Sequence, residues 1–454
     1  KAWKSMMFKI RKLTALSIIA FLSLVLVKYA DAFEIKQVTS NSGITAWLVE
    51  DHKNPLITMQ FMVRSGSSID PKTKTGLAYL VSGLLDEGAG DLDSKSFQVA
   101  LEKNSIALSF NARMDSFSGT LSTLTETKEE AFLLLALAIK EPRFDPEPTL
   151  RVKSQIAASL RASKENPNNI AGKLWWQLAF PSHAYGRPKK GTPETLASIT
   201  REDMKDYVNK NLRKDNISIS VVGDITTGEL SAVLDDIFGD LPSSSSRNEL
   251  RNTRVKNSGE TVIVERDIPQ SVVIFGHDGI KRDDADWYAA TILFEILAGG
   301  FGSRLTEEIR EKRGLTYGVA AYPLPLDKAG VIVGSVSTVN GRVAESIRLI
   351  RDIWRRFGEE GPTIEEIQNA KDYINGSFSL RFTNSKTIVG VLNALQRFDL
   401  GKNYIEERPN LIEKVTPEDL KRVAKRIFKA ESLTFVIVGN PVNIKATMSL
   451  PISD

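Results

Sequence analysis

The sequence has 454 residues, of which 60 are Lys or Arg and 56 are Asp or Glu, so its formal net charge is +4 at pH 7. Hydrophobic residues at 42% and charged residues at 26% are typical of globular proteins, which excludes a disordered chain, a collagen-like repeat and a multi-span membrane protein. The chain has no cysteine and only three histidines, which excludes disulfide frameworks, thiolate metal sites and cysteine nucleophiles. At roughly 150 residues per domain, the length predicts about two to four domains.

The first 32 residues have the pattern of a secretory signal peptide. A basic run over residues 1–12 precedes a mostly apolar run over residues 13–27, and Ala30 and Ala32 then form a small-x-small cleavage site. We predict cleavage after Ala32 and export to the periplasm. The alternative is an uncleaved membrane anchor, for which the apolar run is shorter than the ~20 residues of a typical span.

The charge of the remaining chain gives no support to a nucleic-acid partner. Residues 1–32 contain six basic residues and one acidic residue, so their removal leaves 54 basic and 55 acidic residues and a net charge of −1. A near-neutral chain lacks the basic surplus that attracts a polyanion. We therefore expect no nucleic-acid partner.

A repeated segment indicates that the chain contains a duplicated domain. Residues 198–224 and 414–440 align without gaps. In each copy a threonine, Thr200 or Thr416, precedes a helical pattern with an acidic first turn, as expected of a helix N-cap. A β-rich run follows in both copies. The long spacing excludes a solenoid and predicts two homologous domains.

A polar stretch between the two copies marks the domain boundary. Four serines at positions 243–246 begin a stretch without apolar periodicity, which predicts an exposed linker over residues 243–257. The two domains are then residues 33–242 and 258–454.

Both domains mix helical and strand patterns. Residues 129–139 and 286–297 have helical patterns, whereas residues 261–264 and 330–336 are alternating or β-branched. The sequence therefore predicts the α+β fold class.

Residues 76–87 predict a helix that packs on the core by one face. The apolar positions follow the i, i+3, i+4 spacing of a buried stripe, and they are Leu77, Leu80, Val81, Leu84 and Leu85. Tyr79, Ser82 and Gly83 lie off that stripe. On spacing alone this segment is a core helix.

Three segments resemble the pitrilysin/insulinase family of zinc peptidases. GLAYLVSGLL, residues 76–85, is similar to the family's G-L-A-H-x-x-E-H segment, in which an inverted H-x-x-E-H motif supplies two zinc-ligand histidines and a glutamate base. Residues 180–200 resemble its H-x-Y-G…G-T segment, and residues 297–319 resemble its glycine-rich turn, helix and R-x6-Y pattern. The resemblance covers essentially the whole of residues 33–454 and implies two duplicated α/β domains of the mitochondrial-processing-peptidase/pitrilysin type.

The residues that bind zinc in that family are absent from the matching positions. The H-x-x-E-H motif falls on Tyr79, Ser82 and Gly83, and the third ligand, a glutamate about 75 residues downstream, falls on Ala158 or Ser159. These side chains cannot form a zinc site of imidazole and carboxylate ligands. We therefore expect this chain to bind no metal or cofactor and to contain no catalytic residue of zinc hydrolysis.

In the second domain, the resemblance implies a substrate-binding role for Arg310 and Tyr317. The pattern predicts a helix over residues 303–313, a C-terminal stop at Gly314 and a following strand that carries Tyr317. In the family this arginine and tyrosine contact the substrate carbonyl near the metal, where a guanidinium and a phenol can stabilise developing negative charge. The alternative is that Arg310 is a surface or ion-paired residue and that Tyr317 is half-buried packing.

A glycine-rich turn, with Gly299, Gly300 and Gly302, precedes that helix. The turn lacks the G-x4-G-K-[ST] frame of a phosphate loop, so we expect no nucleotide site. The family resemblance implies a substrate-facing loop, and the alternative is a flexible turn before a helix.

The histidines give no sign of catalysis. His183 and Tyr185 in the H-x-Y-G segment are predicted to be hydrogen-bonding loop residues with a structural role. His277 adjoins Asp278, but no nucleophile is near it in sequence, so we do not expect a general base there.

The resemblance implies a non-catalytic role for the whole chain. In heterodimeric members of the family one subunit carries zinc, and the other supplies the arginine–tyrosine pair. We expect this chain to be the second kind of subunit, with a zinc-bearing paralogous partner and an extended peptide bound by strand addition. The alternative is a purely structural or assembly protein of the same fold, as the core subunits of the respiratory cytochrome complex are.

Overall fold

The structure, a computed structural model, describes residues 34–243, 250–256 and 258–448. The predicted signal peptide and part of the predicted linker lie outside the described residues. Within the described ranges, no helix combines the length and apolar character needed to cross a membrane.

The first domain is built on a six-stranded sheet. Its strands run in the spatial order β1-β2-β6-β3-β5-β4, and all neighbours are antiparallel except β2 and β6. The strands are β1 Lys36–Thr39, β2 Thr45–Glu50, β3 Leu56–Val63, β4 Ala107–Ala112, β5 Phe117–Leu124 and β6 Ile217–Gly223.

The second domain repeats this sheet without the first strand. The spatial order β7-β11-β8-β10-β9 corresponds strand for strand to β2-β6-β3-β5-β4, including the one parallel pair. The strands are β7 Thr261–Glu265, β8 Gln270–Asp278, β9 Val319–Pro325, β10 Gly330–Val339 and β11 Thr434–Gly439. The predicted α+β fold of two homologous domains is confirmed.

Helices connect and cover the strands. In the first domain they are α1 Leu77–Ser82, α2 Ser94–Lys103, α3 Lys128–Lys140, α4 Pro146–Glu165, α5 Pro167–Ala179, α6 Pro193–Ser198, α7 Arg201–Asn211 and α8 Thr227–Phe238. In the second they are α9 Trp287–Ala298, α10 Val343–Glu360, α11 Ile364–Phe378, α12 Ser385–Arg397, α13 Tyr404–Glu413 and α14 Pro417–Ile427.

The repeat that was visible in the sequence folds in the same way in both domains. The N-caps of α7 and α14 are Thr200 and Thr416, and each threonine exchanges hydrogen bonds with the aspartate three residues later, Asp203 or Asp419. Such a capping box satisfies two backbone N–H groups that the first turn leaves unpaired. Strands β6 and β11 then follow, with β11 beginning one residue later after its helix than β6 does.

Each sheet is covered on one face by its own helices and on the other by a helix of the opposite domain. Helix α5 packs on β8 and β11 of the second sheet, while α12 packs on β3 and β6 of the first. The buried indole of Trp175 in α5 donates to the Thr434 carbonyl at 3.3 Å. In α12, the buried Asn393 amide donates to the Gln60 carbonyl at 2.9 Å. The two domains therefore interlock through two contacts, each of which combines a buried apolar cluster with buried hydrogen bonds.

The described part of the predicted linker is not fully exposed. Val255 is buried in the apolar cluster around α5, and the Lys256 N–H donates to the Ala179 carbonyl at 2.8 Å. The segment lacks an apolar period because it contributes one buried side chain rather than a face. Most of the other described residues of this stretch are exposed, so Val255 is the exception to the predicted exposed linker.

Candidate functional site

The degenerate metal positions of the first domain lie on α1 and the turn after it. The predicted helix over residues 76–87 is shorter than expected and ends at Ser82, after which tight turns carry the chain to Glu87. The apolar stripe is buried as predicted. Ser82 is also buried, and its hydroxyl donates to the Tyr79 carbonyl at 2.8 Å. The side chain at the family's glutamate position is thus used within its own helix.

Ser159 rather than Ala158 faces Tyr79, through a shared lysine. Both residues are on α4, where Ala158 points to solvent. The Lys190 ammonium lies 3.0 Å from the Ser159 hydroxyl and 5.2 Å from the centre of the Tyr79 ring. The structure therefore corrects the assignment of the third ligand position to Ala158, because helical rotation turns that residue away.

The residues present at this site do not fit a zinc ion. Zinc in peptidases takes imidazole and carboxylate ligands with one position open for water. Here a phenol, two hydroxyls, a glycine and an ammonium occupy the region, and the ammonium would repel a dication. Across residues 34–243, 250–256 and 258–448, no three His, Asp, Glu or Cys side chains are grouped as potential metal ligands.

In the second domain, a short π-helical segment positions Arg310. The predicted helix over residues 303–313 is present only as a brief helical start and the π-helical turn Thr306–Glu311, whose wide turn is closed by the Lys312 N–H bonding the Glu307 carbonyl at 2.9 Å. Gly314 ends the segment at a φ of 58°, a left-handed conformation that favours glycine. π-Helical turns are frequent at functional sites.

Arg310, Lys312 and Arg313 are all ion-paired, and Arg310 differs from the other two by also contacting an aromatic ring. Lys312 and Arg313 both bind the Glu308 carboxylate, at 2.7 and 2.6 Å. The Arg310 guanidinium lies 4.8 Å from the centre of the Phe301 ring and its Nε is 3.2 Å from a Glu311 carboxylate oxygen. Its side chain is 36% exposed. Arg310 is thus orientated by an aromatic ring and a single exposed carboxylate.

Tyr317 lies in the connection before β9, not on the strand. The strand begins at Val319. The Thr316 hydroxyl accepts from the Gly318 N–H at 3.1 Å and donates to the Ser337 carbonyl of β10 at 2.6 Å, so Tyr317 lies in a tight turn that is bonded to β10. The Tyr317 side chain is 90% exposed. It makes no hydrogen bond or ring contact with any residue the structure describes. The alternative of a half-buried packing residue is therefore wrong for Tyr317.

The glycine turn contacts Arg310 through Phe301. Gly299 N–H bonds the Glu295 carbonyl at 2.9 Å and ends α9. A Cβ at Gly299 would lie 2.3 Å from the Glu295 carboxyl carbon, so glycine leaves room for that side chain. A Cβ at Gly300 or Gly302 would meet open space. The glycine turn and Arg310 are therefore in contact. Tyr317, which precedes β9, forms no hydrogen bond or ring contact with either of them in the described chain.

The H-x-Y-G segment contributes to the junction of the domains. The buried Tyr185 hydroxyl donates to the Asp115 carboxylate and accepts from the Lys328 N–H, both at 3.0 Å. Asp115 also accepts from the Asp327 N–H at 3.0 Å, and Arg397 binds Asp327 at 2.6 Å. Burial, followed by the neighbouring Asp327, raises the pKa of Asp115 above its usual range. Sequence reasoning missed Asp115 and Arg397 because they lie in no shared motif.

His277 is an internal packing residue. Its Nε2 accepts from the Trp354 indole at 2.9 Å, and its Nδ1 lies 2.6 Å from the Asp278 carbonyl, which fixes the neutral ring as the Nδ1–H tautomer. Burial lowers the pKa of His277 to about 4. The ring has no free nitrogen for proton transfer to a substrate.

The two sheets end in edge strands of different character. In the β4–β5 hairpin, Arg113 N–H bonds the Ser116 carbonyl, so the alternation of an antiparallel ladder turns the backbone N–H groups of Leu108, Phe110 and Ala112 outward. The same reasoning from the 2.8 Å bond of the Leu326 N–H to the Ala329 carbonyl turns alternate residues of β9 outward, and two of them are Pro323 and Pro325. Proline has no N–H, so β9 is blocked where β4 is open.

Comparison with known proteins identifies the family. The description "Insulinase (Peptidase family M16)" matches residues 45–192, and "Peptidase M16 inactive domain" matches residues 198–374. The chain belongs to peptidase family M16. The second match begins within the first structural domain, before α7 and β6.

Relatives of this M16 chain include one named as a non-peptidase homologue and several named as uncharacterized zinc proteases. It is 28% identical over 395 residues to the "Non-peptidase homolog YmxG" of Helicobacter pylori, a match that covers 86% of this chain and 90% of that protein. Together with the missing ligands, this likeness places it among the inactive, non-peptidase homologues of family M16.

Solved structures share its architecture. A peptidase M16 inactive domain from Pseudomonas fluorescens superposes with a TM-score of 0.84 at 26% identity, covering 91% of this chain and 99% of that one. A chain of Complex III2 from Candida albicans, with Inz-5 bound, has a TM-score of 0.74 at 14% identity, covering 90% and 96% respectively, which shows a common fold alone.

Proposed function

We propose that this chain is the non-catalytic, substrate-binding subunit of a heteromeric periplasmic zinc metallopeptidase. In this role it supplies Arg310 and Tyr317 to the zinc site of a paralogous partner that has an intact H-x-x-E-H motif. The observation that carries the proposal is the contrast between a metal site that cannot hold zinc and a Tyr317 that is 90% exposed without a contact in the described chain. The Tyr317 hydroxyl has no hydrogen-bond partner in the described chain and is therefore available to a molecule from outside.

The chemistry of the pair fits stabilisation of a developing oxyanion. The zinc of the partner would polarise the peptide carbonyl and supply the hydrolytic water. The Arg310 guanidinium and the Tyr317 hydroxyl are both hydrogen-bond donors, and donors aimed at an oxygen that gains charge lower the barrier. Contact with the Phe301 ring restricts Arg310 before substrate binds, so less freedom is lost in the transition state.

The edge of the first sheet suits an extended peptide. The outward N–H and carbonyl groups of Leu108, Phe110 and Ala112 offer a full set of ladder partners, and β4 contains neither proline nor charge. Addition of a strand to such an edge binds main chain irrespective of sequence. The prolines of β9 favour β4 over the corresponding edge of the second domain.

Reconstitution with the partner tests this proposal. The mature chain and its H-x-x-E-H paralogue are purified separately and mixed, and zinc content and peptide hydrolysis are measured. We expect zinc in the paralogue and not in this chain, and hydrolysis at full rate only in the mixture. Stoichiometric zinc in this chain alone would contradict the proposal.

Variants then separate the active role from the assembly alternative. Removal of one oxyanion donor typically lowers kcat by ~10²–10³-fold. We expect Arg310→Ala combined with Tyr317→Phe to lower kcat/KM of the mixture by at least about 100-fold. The control combines Arg348→Ala and Tyr373→Phe, which change an exposed arginine and an exposed tyrosine on α10 and α11. Equal activity of the two double variants would favour a purely structural or assembly protein.

The proposed compartment has its own test. Mass spectrometry of the chain released by osmotic shock reads the mature N-terminus directly. We expect the released chain to begin at Phe33. Retention of the chain in the membrane fraction with residues 1–32 attached would favour the anchor.

A further inference from the structure

The ammonium group of Lys190 lies at the degenerate metal site. Lys190 Nζ contacts Ser159 at 3.0 Å and the Tyr79 ring at 5.2 Å. Tyr79 and Ser159 correspond to the first and third ligand positions of the family motif. An ammonium thus lies between the residues that replace two zinc ligands.

The backbone that carries Lys190 is packed directly on the start of α1. A Cβ at Gly191 would lie 2.2 Å from the Thr75 carbonyl, and a Cβ at Gly76 would lie 2.8 Å from the Lys190 carbonyl. The Thr195 hydroxyl also donates to the Thr75 carbonyl at 2.8 Å. These close contacts fix the loop, so the position of Lys190 is built into the fold.

Lys190 has no carboxylate partner among the described residues, unlike some other lysines of this domain. Lys74 and Lys140 each lie 2.7 Å from a carboxylate oxygen, that of Asp203 and of Asp240. No carboxylate of the described residues lies within ion-pair distance of Lys190. The sequence contains no Asp or Glu over residues 166–193. The Lys190 ammonium therefore has the Ser159 hydroxyl and the Tyr79 ring as its described contacts and no ion pair.

We propose that the degenerate site binds a carboxylate through Lys190, and that its ligand is the C-terminal carboxylate of a peptide. The ammonium replaces the charge of the metal ion, and a charge-assisted hydrogen bond to a carboxylate is stronger than one to a neutral carbonyl. Helix α1 packs against β4, so a peptide added to the open edge of β4 can end at this site. The inference rests on the peptide-binding part of the proposed function and requires neither the partner nor Arg310.

The test follows Lys190 itself by NMR. The mature chain is labelled with ¹³C at the lysine ε carbons, and the Lys190 signal is identified by its absence in Lys190→Gln. Three probes are titrated, acetyl-trialanine with a free carboxylate, its C-terminal amide, and an amide of the same length with a central glutamate. We expect the free acid to shift the Lys190 signal saturably, with at least tenfold weaker binding of both amides.

Matched variants make each outcome decisive. Lys189→Gln removes the exposed neighbouring charge and should leave the preference for the free acid intact. Lys190→Arg has no Lys190 signal, so its binding is measured by isothermal titration calorimetry, and it should retain the preference because the cation remains. Circular dichroism checks the fold of Lys190→Gln. An equal response to the free acid and the amides, or no response to any probe, would overturn the proposal. Equal binding of the glutamate amide would assign the site to side-chain carboxylates instead.

The same titration distinguishes this inference from the subunit proposal. The Arg310→Ala, Tyr317→Phe variant should show the unchanged Lys190 response, because those residues lie in the other domain. A negative Lys190 titration therefore does not decide the hydrolysis test of the subunit proposal. A negative hydrolysis test likewise does not decide the Lys190 titration.

Discussion

The positions that match the family's site have internal contacts in the first domain, whereas one of them is exposed to solvent in the second. In the first, Ser82 bonds within α1, Tyr79 and Ser159 contact Lys190, and Tyr185 joins the hairpins of both domains. In the second, Tyr317 extends from a turn into solvent.

The difference shows what the fold does with a site that no longer binds metal. Polar side chains left beside a core are costly unless they gain partners, so the first domain has satisfied them internally. Under the proposed function Arg310 and Tyr317 act on another molecule, and the exposure of Tyr317 leaves its side chain available for that role. Variants in the first group should therefore change stability, and variants in the second should change activity.

The largest expected stability change is at Trp175. Its buried indole fills the contact between α5 and the second sheet and donates to Thr434. Truncation of a buried tryptophan leaves a cavity and typically costs ~3–5 kcal/mol. We expect Trp175→Ala to lower the free energy of unfolding by about that amount, measured by denaturant titration. The exposed Leu150→Ala on α4 serves as control, and an equal change in both would contradict the interlocked domains.

A pH effect of similar size is expected from His277. Its pKa is about 4 in the folded chain, below the usual ~6.5 of the unfolded chain, so the unfolded state binds the proton first as pH falls. Stability is then present above pH ~6.5 and is lost as pH falls towards 4, on the order of 3 kcal/mol in total.

His277→Gln gives the matched measurement for that pH effect. The free energy of unfolding should change less between pH 7 and pH 4.5 in the variant than in the parent chain. NMR titration of the His277 ring with a midpoint near 6.5 would contradict the buried neutral tautomer.

A smaller loss is expected at Tyr185. Removal of its hydroxyl leaves Lys328 N–H without its acceptor and takes one donor from the buried Asp115. An unsatisfied buried group costs ~1–3 kcal/mol. We expect Tyr185→Phe to lower the free energy of unfolding within that range, whereas Tyr373→Phe at an exposed position should have no measurable effect.

The smallest stability change is expected when Arg310 and Tyr317 are both substituted. Surface substitutions away from caps and cores usually change stability by less than ~0.5 kcal/mol. Arg310→Ala with Tyr317→Phe should stay within that limit by thermal unfolding. A larger loss would show that these residues hold the fold, and would remove the contrast between the domains.

The sequence predicts the architecture because local signals repeat. The Thr200 and Thr416 caps, the apolar stripe of α1 and the Gly314 stop are all set by neighbours along the chain, and each is present. The exchange of α5 and α12 between domains is not predictable this way, since an apolar face does not specify which sheet it covers.

The site was only partly predictable for the same reason. The absent zinc ligands can be read position by position, but the contact of Lys190 with Ser159 joins residues 31 positions apart and depends on how the loop packs on α1. Ala158 and Ser159 are neighbours on α4 whose side chains point in different directions. A spacing of about 75 residues from the motif does not predict which of them faces the site. Tyr317 was placed on a strand because its flanking residues are extended, whereas the Thr316 turn delays β9 by two residues.

The central claim is that Arg310 and Tyr317 of the second domain contribute to peptide hydrolysis at the zinc site of a partner. The most direct measurement is kcat/KM for peptide hydrolysis by the reconstituted pair, with this chain either unchanged or carrying Arg310→Ala and Tyr317→Phe. Our account predicts a loss of at least about 100-fold with assembly of the pair unchanged. An unchanged kcat/KM in the assembled pair would contradict it.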